Sequence, residues 1–354
     1  MISSIITGTG CYIPTRKVEN KEFLDREFYS ADHKKTEKPN EDIIQKFRDI
    51  TCIRERRYAT DDLVTSDISY EAAKKALKGT EKEDLDYIIV AHNFGDVKAG
   101  STRVDTCPSL AARVKHLLEI ENPYTVAYDV PFGCPGWLHG MIIADYYIKS
   151  GDAKKVLVIG SEMLSRVIDP YDIDGMIYAD GAGAVLVEAT EKPAGILSHV
   201  TRSDTKKEAY FIWTGETYGP NHDNSDEVYL KMHGHQIYKY ALKHVPEVVK
   251  MSLDKAGLTL TDVKKVLIHQ ANEKMDDAIL KNIFKLYGVN KIPEFIMPMT
   301  ISWLGNSSVA TLPTMFDLLQ KGEFNNHKLH SGDIAVFASV GAGMNINSMV
   351  YRMP

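Results

Sequence analysis

The chain repeats one plan, and the repeat limits what it can become. In the first half an apolar run, Tyr124 to Val130, leads into Gly133-Cys134-Pro135-Gly136, and a longer apolar run, Trp137 to Ile148, leads out. Ser150-Gly151-Asp152 follows, then an apolar strand reaching Gly160-Ser161. In the second half Gly305-Asn306-Ser307-Ser308 enters an apolar helix that is expected to end in Ser331-Gly332-Asp333, before the strand Ile334 to Gly341. Identities are sparse but the order is kept, as expected of two fused copies of one supersecondary unit. Short runs that are apolar on all sides predict buried strands, and long ones predict helices covered on most sides. Such a chain is expected to fold as layered helices and sheets of the α/β class. The expected halves are residues 1–195, with the Cys134 elbow, and residues 196–354, with His269 and the Asn306 elbow.

Composition narrows the function. At 354 residues the chain suits about two domains and can bury a large core. A net charge of -6 gives no reason to expect nucleic acid. The 4 cysteines form no CxxC pair and no zinc-type spacing, which fits a reducing cytoplasm. Residues Met1 to Ile6 lack the marks of a signal peptide, and no apolar run is long enough to span a membrane.

Chemistry gathers at the elbows. The glycines around Cys134 permit a sharp turn, and proline favours the first turn of a helix. The thiol is then at the positive end of a helix, where its pKa is expected to fall and the thiolate to be presented. Two readings stay open for this residue alone, a nucleophile and a buried structural cysteine. If the halves are duplicated, Cys134 and Asn306 occupy equivalent elbows, and two helix N-termini point at one site at the strand ends. His269 ends the strand Val263 to Ile268, in the half that also supplies Asn306. His233 and His235 lack a third ligand nearby, so no metal site is expected.

The remaining chain supplies scaffold and surface. Ile2 to Thr7 reads as a strand ending in the turn Gly8 to Pro14, and residues 20–45 as polar and helix-leaning, with an exposed insertion over 32–40. Arg54-Glu55-Arg56-Arg57 reads either as a phosphate holder or as a surface ion-pair network. Ser66 to Leu77 is an expected helix, and Tyr87 to Ala91 a buried strand. The glycine-rich stretch Ala179 to Val187 reads as a turn entering a strand. With no helix after its glycines, close backbone packing explains it better than a phosphate cradle. The expected helix Asn272 to Tyr287 has an apolar stripe of Met275, Ile279, Ile283 and Leu286. Lys274, Lys281 and Lys285 share another face, either solvated or a docking patch for an acidic partner.

Six motifs in order resemble the ketoacyl-[acyl carrier protein] synthase III branch of the thiolase superfamily over nearly the whole chain. They are Gly8 to Pro14, Ile53 to Arg57, Asp180 to Ala184, Lys231-Met232-x-Gly234, His269 to Asn272 and Gly305 to Ser308. The resemblance implies a thiolase-like, five-layer αβαβα fold, a homodimer and an acyltransferase of fatty acid biosynthesis that performs a Claisen condensation. It implies a triad of Cys134, His269 and Asn306, with the backbone N–H groups of Cys134 and Ala342 as donors to the acyl oxygen. It also implies acyl carrier protein as partner, with Lys274 and Lys281 at positions that are basic in similar proteins. Acyl-coenzyme A or carrier-protein thioesters are then the substrates, with no other cofactor.

Departures from the family carry information too. The tryptophan and arginine that sandwich the adenine of coenzyme A fall near Lys46 and Ile173, and neither is kept. The elbow reads Gly-Cys-Pro-Gly-Trp where the family usually has Ala-Cys-Ala-Gly-Phe. Cys107 stands where the family has a bulky interface residue capping the acyl pocket. These changes predict a divergent synthase taking a longer acyl chain, or one delivered by carrier protein. The competing reading is a non-decarboxylative condensing enzyme, or an acyltransferase to oxygen or nitrogen, in a pigment or secondary-metabolite pathway. A papain-like protease shares the Cys, His, Asn order but expects Cys-Gly-Ser-Cys-Trp. A scaffold without catalysis is the third alternative.

Overall fold

The computed structural model describes residues 2–220 and 227–354. The first half contributes strand β1 (Ser3–Tyr12), β2 (Arg16–Glu19), helix α1 (Asn40–Thr51), β3 (Glu55–Tyr58), α2 (Thr65–Ala76) and β4 (Tyr87–His92). It continues with α3 (Leu110–Leu117), β5 (Val126–Pro131), α4 (Gly136–Ser150), β6 (Lys155–Met163) and β7 (Asp180–Thr190). The second half contributes β8 (Gly195–Ser203), β9 (Ile212–Gly215), β10 (Tyr229–Met232), α5 (Gly234–Ala256), β11 (Val263–Ile268) and α6 (Glu273–Leu286). Short α7 (Ile301–Leu304), α8 (Thr311–Gln320), β12 (Ile334–Gly341) and β13 (Asn345–Arg352) follow.

The two large sheets repeat one topology. The first runs β1-β7-β6-β4-β5 and the second β8-β13-β12-β11. In each, the first three strands pair antiparallel and the next joins in parallel. Alternation of side chains builds the layers. On β6, Val156 and Val158 face a central core while Leu157 and Ile159 face an outer one. On β12, Ala335 and Phe337 face the same central core, with Val336 and Ala338 turned outward. Helices α4 and α8 fill the centre through Trp137, Met141, Ile148, Leu312 and Phe316. Helices α2 and α3 cover the outside of the first sheet, and α5 and α6 the outside of the second. The five-layer αβαβα order expected from the sequence is therefore present.

Each central helix also carries a buried carboxylate. Asp145 on α4 accepts from Ser4 Oγ at 2.8 Å and pairs with Lys149 at 2.8 Å. Asp317 on α8 accepts from Thr9 Oγ1 at 2.7 Å and pairs with Lys321 at 2.6 Å. Both ion pairs span i to i+4 on their helix, and both hydroxyls come from β1.

Several expectations change. The glycines read as turns lie inside β1 and β7. A Cβ on Gly10 would stand 2.4 Å from Ala72 O of α2, and one on Gly183 would stand 2.7 Å from Pro313 Cβ of α8. These glycines let helices lie directly on strands. The expected helical stretch over 20–45 forms α1 only from Asn40, directly after Pro39. Helix α8 ends at Gln320, so residues 321–333 form a connecting loop instead of prolonging the helix. Arg56 is fully buried and is neither a phosphate ligand nor a surface charge. Its guanidinium donates to Met176 O, Val18 O and Asn20 Oδ1 at 3.1, 3.1 and 2.7 Å, tying three segments together. On α6 the buried stripe is Met275, Ile279, Leu280, Ile283 and Phe284, while Leu286 is exposed.

Candidate active site

Cys134, His269 and Asn306 line one cavity of about 170 Å³. Cys134 precedes α4 by two residues, His269 follows β11, and Asn306 lies between α7 and α8. Backbone pairing fixes each. Asn306 N donates to Ile177 O at 3.0 Å, and Ala179 N donates to Asn306 O at 2.8 Å. His269 N donates to Ala338 O of β12 at 2.9 Å. The end of β12 lies against the elbow so closely that a Cβ on Gly341 would stand 2.5 Å from Cys134 N. This contact brings Ala342, which lines the same cavity, beside Cys134.

Hydrogen bonding orients the two donors. Asn306 Oδ1 accepts from Ser308 N at 2.8 Å, which occupies the carbonyl end and leaves the amide Nδ2 for a ligand. His269 Nδ1 is buried without a partner among the described residues, so Nε2 is the ring nitrogen left to the cavity. Burial holds the imidazole well down, to about 4, so it is neutral at physiological pH. Burial also pushes the Cys134 thiol up to about 11. The expectation of a lowered thiol pKa at the helix N-terminus is therefore corrected. Desolvation is the largest influence on the thiol, and the neutral ring of His269 supplies no positive charge to a thiolate.

Three residues without an assigned role in the sequence reading join the site. Ser308 Oγ donates to Cys134 Sγ at 3.3 Å, and Asn93 Nδ2 donates to Ser308 Oγ at 3.2 Å. Glu162 Oε2 accepts from both Asn93 N and Asn93 Nδ2, at 2.9 and 2.5 Å. Glu162 is fully buried, and burial pushes its carboxyl up to about 7. The available signal is a carboxylate in the largely apolar strand Val156 to Met163.

A second cavity of about 610 Å³ adjoins the first, sharing Met232, Ile237, Ala271 and Met275. Lys46 and Ile173, at the positions expected for the adenine sandwich, both line it, among Ile43, Phe47, Ile50 and Ile177. Lys274 and Lys281 are exposed on α6, whose preceding residues Ala271 and Asn272 form part of the same cavity wall. Cys107 is exposed and does not line the Cys134 cavity of its own chain.

The family model described as 3-oxoacyl-[acyl-carrier-protein] synthase III matches residues 128–205, and its C-terminal counterpart matches residues 253–353. A β-ketoacyl-[acyl-carrier-protein] synthase III of Halalkalibacterium halodurans is 32% identical over 351 residues, covering 98% of this chain and 97% of that protein. The crystal structure of the 3-oxoacyl-[acyl-carrier-protein] synthase III of Aquifex aeolicus superposes with a TM-score of 0.78 at 27% identity, covering 99% of each chain. The priming β-ketosynthase of the R1128 polyketide pathway superposes with a TM-score of 0.80 at 25% identity, covering 99% of this chain and 96% of that one. Layered fold, paired elbows and relatives matched from end to end agree, and the chain belongs to the 3-oxoacyl-[acyl-carrier-protein] synthase III family.

Proposed function

We propose that the protein joins an acyl group carried on Cys134 to a malonyl-type thioester, with loss of carbon dioxide, to give a β-ketoacyl product. The observation that carries this reading is the convergence of one thiol and two neutral hydrogen-bond donors in a single cavity. Thiol exchange loads the acyl group and conserves the thioester bond energy. As the malonyl thioester loses carbon dioxide, charge develops on its thioester oxygen. His269 Nε2 and Asn306 Nδ2 donate to that oxygen, and both donors are uncharged before the reaction. The carbanion then attacks the acyl carbonyl, whose oxygen is held by the N–H groups of Cys134 and Ala342. An amide at position 306, where a carboxylate would act as a base, favours decarboxylation over proton abstraction. The thioesters themselves are the only cofactors this chemistry needs.

The acyl carrier protein is the proposed partner. Lys274 and Lys281 stand exposed on α6, the helix whose Met275 lines the larger cavity, and suit an acidic surface. Lys46 and Ile173 replace the tryptophan and arginine expected to sandwich an adenine, and the largely apolar lining of that cavity suits a longer acyl chain delivered by carrier protein. Residues 1–195 act as the half that supplies the nucleophile, and 196–354 as the half that supplies the donors. A homodimer across the β5 edge and a cytoplasmic location complete the proposal. No helix among the described residues is long and apolar enough to cross a membrane.

The test is to incubate the protein with acetyl-coenzyme A, and separately with longer acyl-carrier thioesters, then measure its intact mass. Loading of Cys134 by the carrier-bound chains is expected. Fast labelling by acetyl-coenzyme A alone would contradict the substrate assignment. Carbon dioxide release from a malonyl thioester separates this reaction from a non-decarboxylative one.

A further inference from the structure

Cys134 has a problem that the triad does not solve. Its thiolate is the reactive form, yet burial opposes ionisation. The neutral imidazole of His269 offers no positive charge to offset this.

We propose that Ser308 is a catalytic hydrogen-bond donor to the sulfur of Cys134, and that Asn93 and Glu162 are positioning residues that aim its hydroxyl. The geometry is a single chain of contacts drawn from distant parts of the sequence. Ser308 Oγ donates to Sγ at 3.3 Å, and its own lone pair receives Asn93 Nδ2 at 3.2 Å. With that lone pair engaged, the hydroxyl proton is directed to the sulfur. Asn93 cannot turn, because Glu162 accepts from both its backbone and its amide nitrogen. The backbone of Ser308 is left-handed, with φ of 52°, so the side chain is placed by a conformation that non-glycine residues seldom adopt. In acyl loading the hydroxyl keeps its proton while the thiol proton passes to the departing carrier thiolate; in condensation Cys134 leaves as a thiolate, which the same hydroxyl bonds until the sulfur takes up a proton.

The charge on Glu162 works against the thiolate, so the carboxyl serves best as an acceptor in its neutral form. Other ionisable groups surround this chain. His269 and Tyr178 line the cavity, and His92, bonded to Asp129 at 2.9 Å, lies near Glu162. Of these, Ser308 is the side chain seen bonded to the sulfur.

The inference rests on Cys134 as the nucleophile of the proposed condensation, but its test reads the thiol directly. The rate of Cys134 alkylation by iodoacetamide is followed from pH 6 to 12 by mass spectrometry with peptide mapping, since Cys11, Cys52 and Cys107 are also free. Ser308→Ala and Ser308→Gly both remove the hydroxyl, and glycine also suits the left-handed backbone. Each is expected to raise the alkylation midpoint by about one unit or more, and so to slow labelling at pH 7 roughly tenfold. Asn93→Ala should raise it less. Glu162→Gln keeps the acceptor and removes the charge, so its midpoint should not rise. Acyl loading should slow in the Ser308 variants while KM for the malonyl thioester holds. Wild-type titration curves in both Ser308 variants would overturn the proposal, as would a rise in Glu162→Gln as large as in Ser308→Ala. A failed condensation assay with shifted midpoints would count against the proposed reaction and leave this inference standing.

Discussion

At the scale of the residue, His269 sets the tone of the site. Its Nδ1 has no partner among the described residues, and burial alone pushes the ring down to about 4. A ring that is neutral across the physiological range can donate from Nε2 to a developing enolate without having to lose or gain a proton first. Replacing His269 by alanine should therefore lower carbon dioxide release from a malonyl thioester by on the order of 10² to 10³. Acyl loading of Cys134 should continue, because the donor acts in the second half of the reaction. Asn306→Asp should lose at least as much, since it exchanges a donor for a repelling carboxylate at the same volume. Radiolabelled carbon dioxide release, measured beside intact-mass loading, separates the two half-reactions. These residues were legible in the sequence as motifs, but their protonation was not. Position at a helix N-terminus argues for a low thiol pKa, whereas desolvation at this place in the fold, which the motif does not reveal, raises it.

At the scale of the element, contacts distant in sequence decided what local patterns could not. Glycine lowers strand preference, so Gly8 to Gly10 and Gly181 to Gly183 read as turns. They stay in strands because α2 and α8 lie on them, a fact carried by residues far along the chain. Gly183→Val should accordingly destabilise the protein by several kcal/mol, as overpacking against the backbone of α8 does in well-packed cores. Arg56 was read as part of a basic patch, yet it is a buried clamp on three segments. Arg56→Ala leaves three acceptors without that donor and should cost roughly 3 kcal/mol in chemical denaturation. A surface arginine would cost almost nothing. Strand β5 is the outer strand of its sheet, and Val126 on it is 47% exposed. Val126→Lys places a charge on that edge and should shift the proposed dimer toward monomer in sedimentation velocity.

At the scale of the whole molecule, the duplicated plan is what puts the chemistry in one place. Equivalent strand orders bring the elbow of each half to the same cavity, with α4 and α8 entering from it. This level was the most legible, because order along the chain survives when identity does not. Glu162 was the least legible, since its neighbours Asn93 and Ser308 come from other elements. It also shapes stability as pH changes. Its carboxyl is raised from 4.5 to about 7, so the folded state holds its proton where the unfolded state has released it. That contribution is complete below 4.5 and is lost as pH rises through about 7. Glu162→Gln should remove this dependence, and its advantage over wild type in urea denaturation should be larger at pH 8 than at pH 5, by up to roughly 3 kcal/mol.

The central claim is that Cys134 carries the acyl group while His269 and Asn306 stabilise the enolate formed by decarboxylation. Its most direct measurement starts from protein loaded with a carrier-delivered acyl chain and adds malonyl-carrier protein. Intact mass is then followed together with released carbon dioxide. The account predicts that the adduct on Cys134 disappears with one carbon dioxide per acyl group, and that the adduct persists in Asn306→Asp. Discharge of the adduct without carbon dioxide, or turnover undiminished in Asn306→Asp, would contradict it.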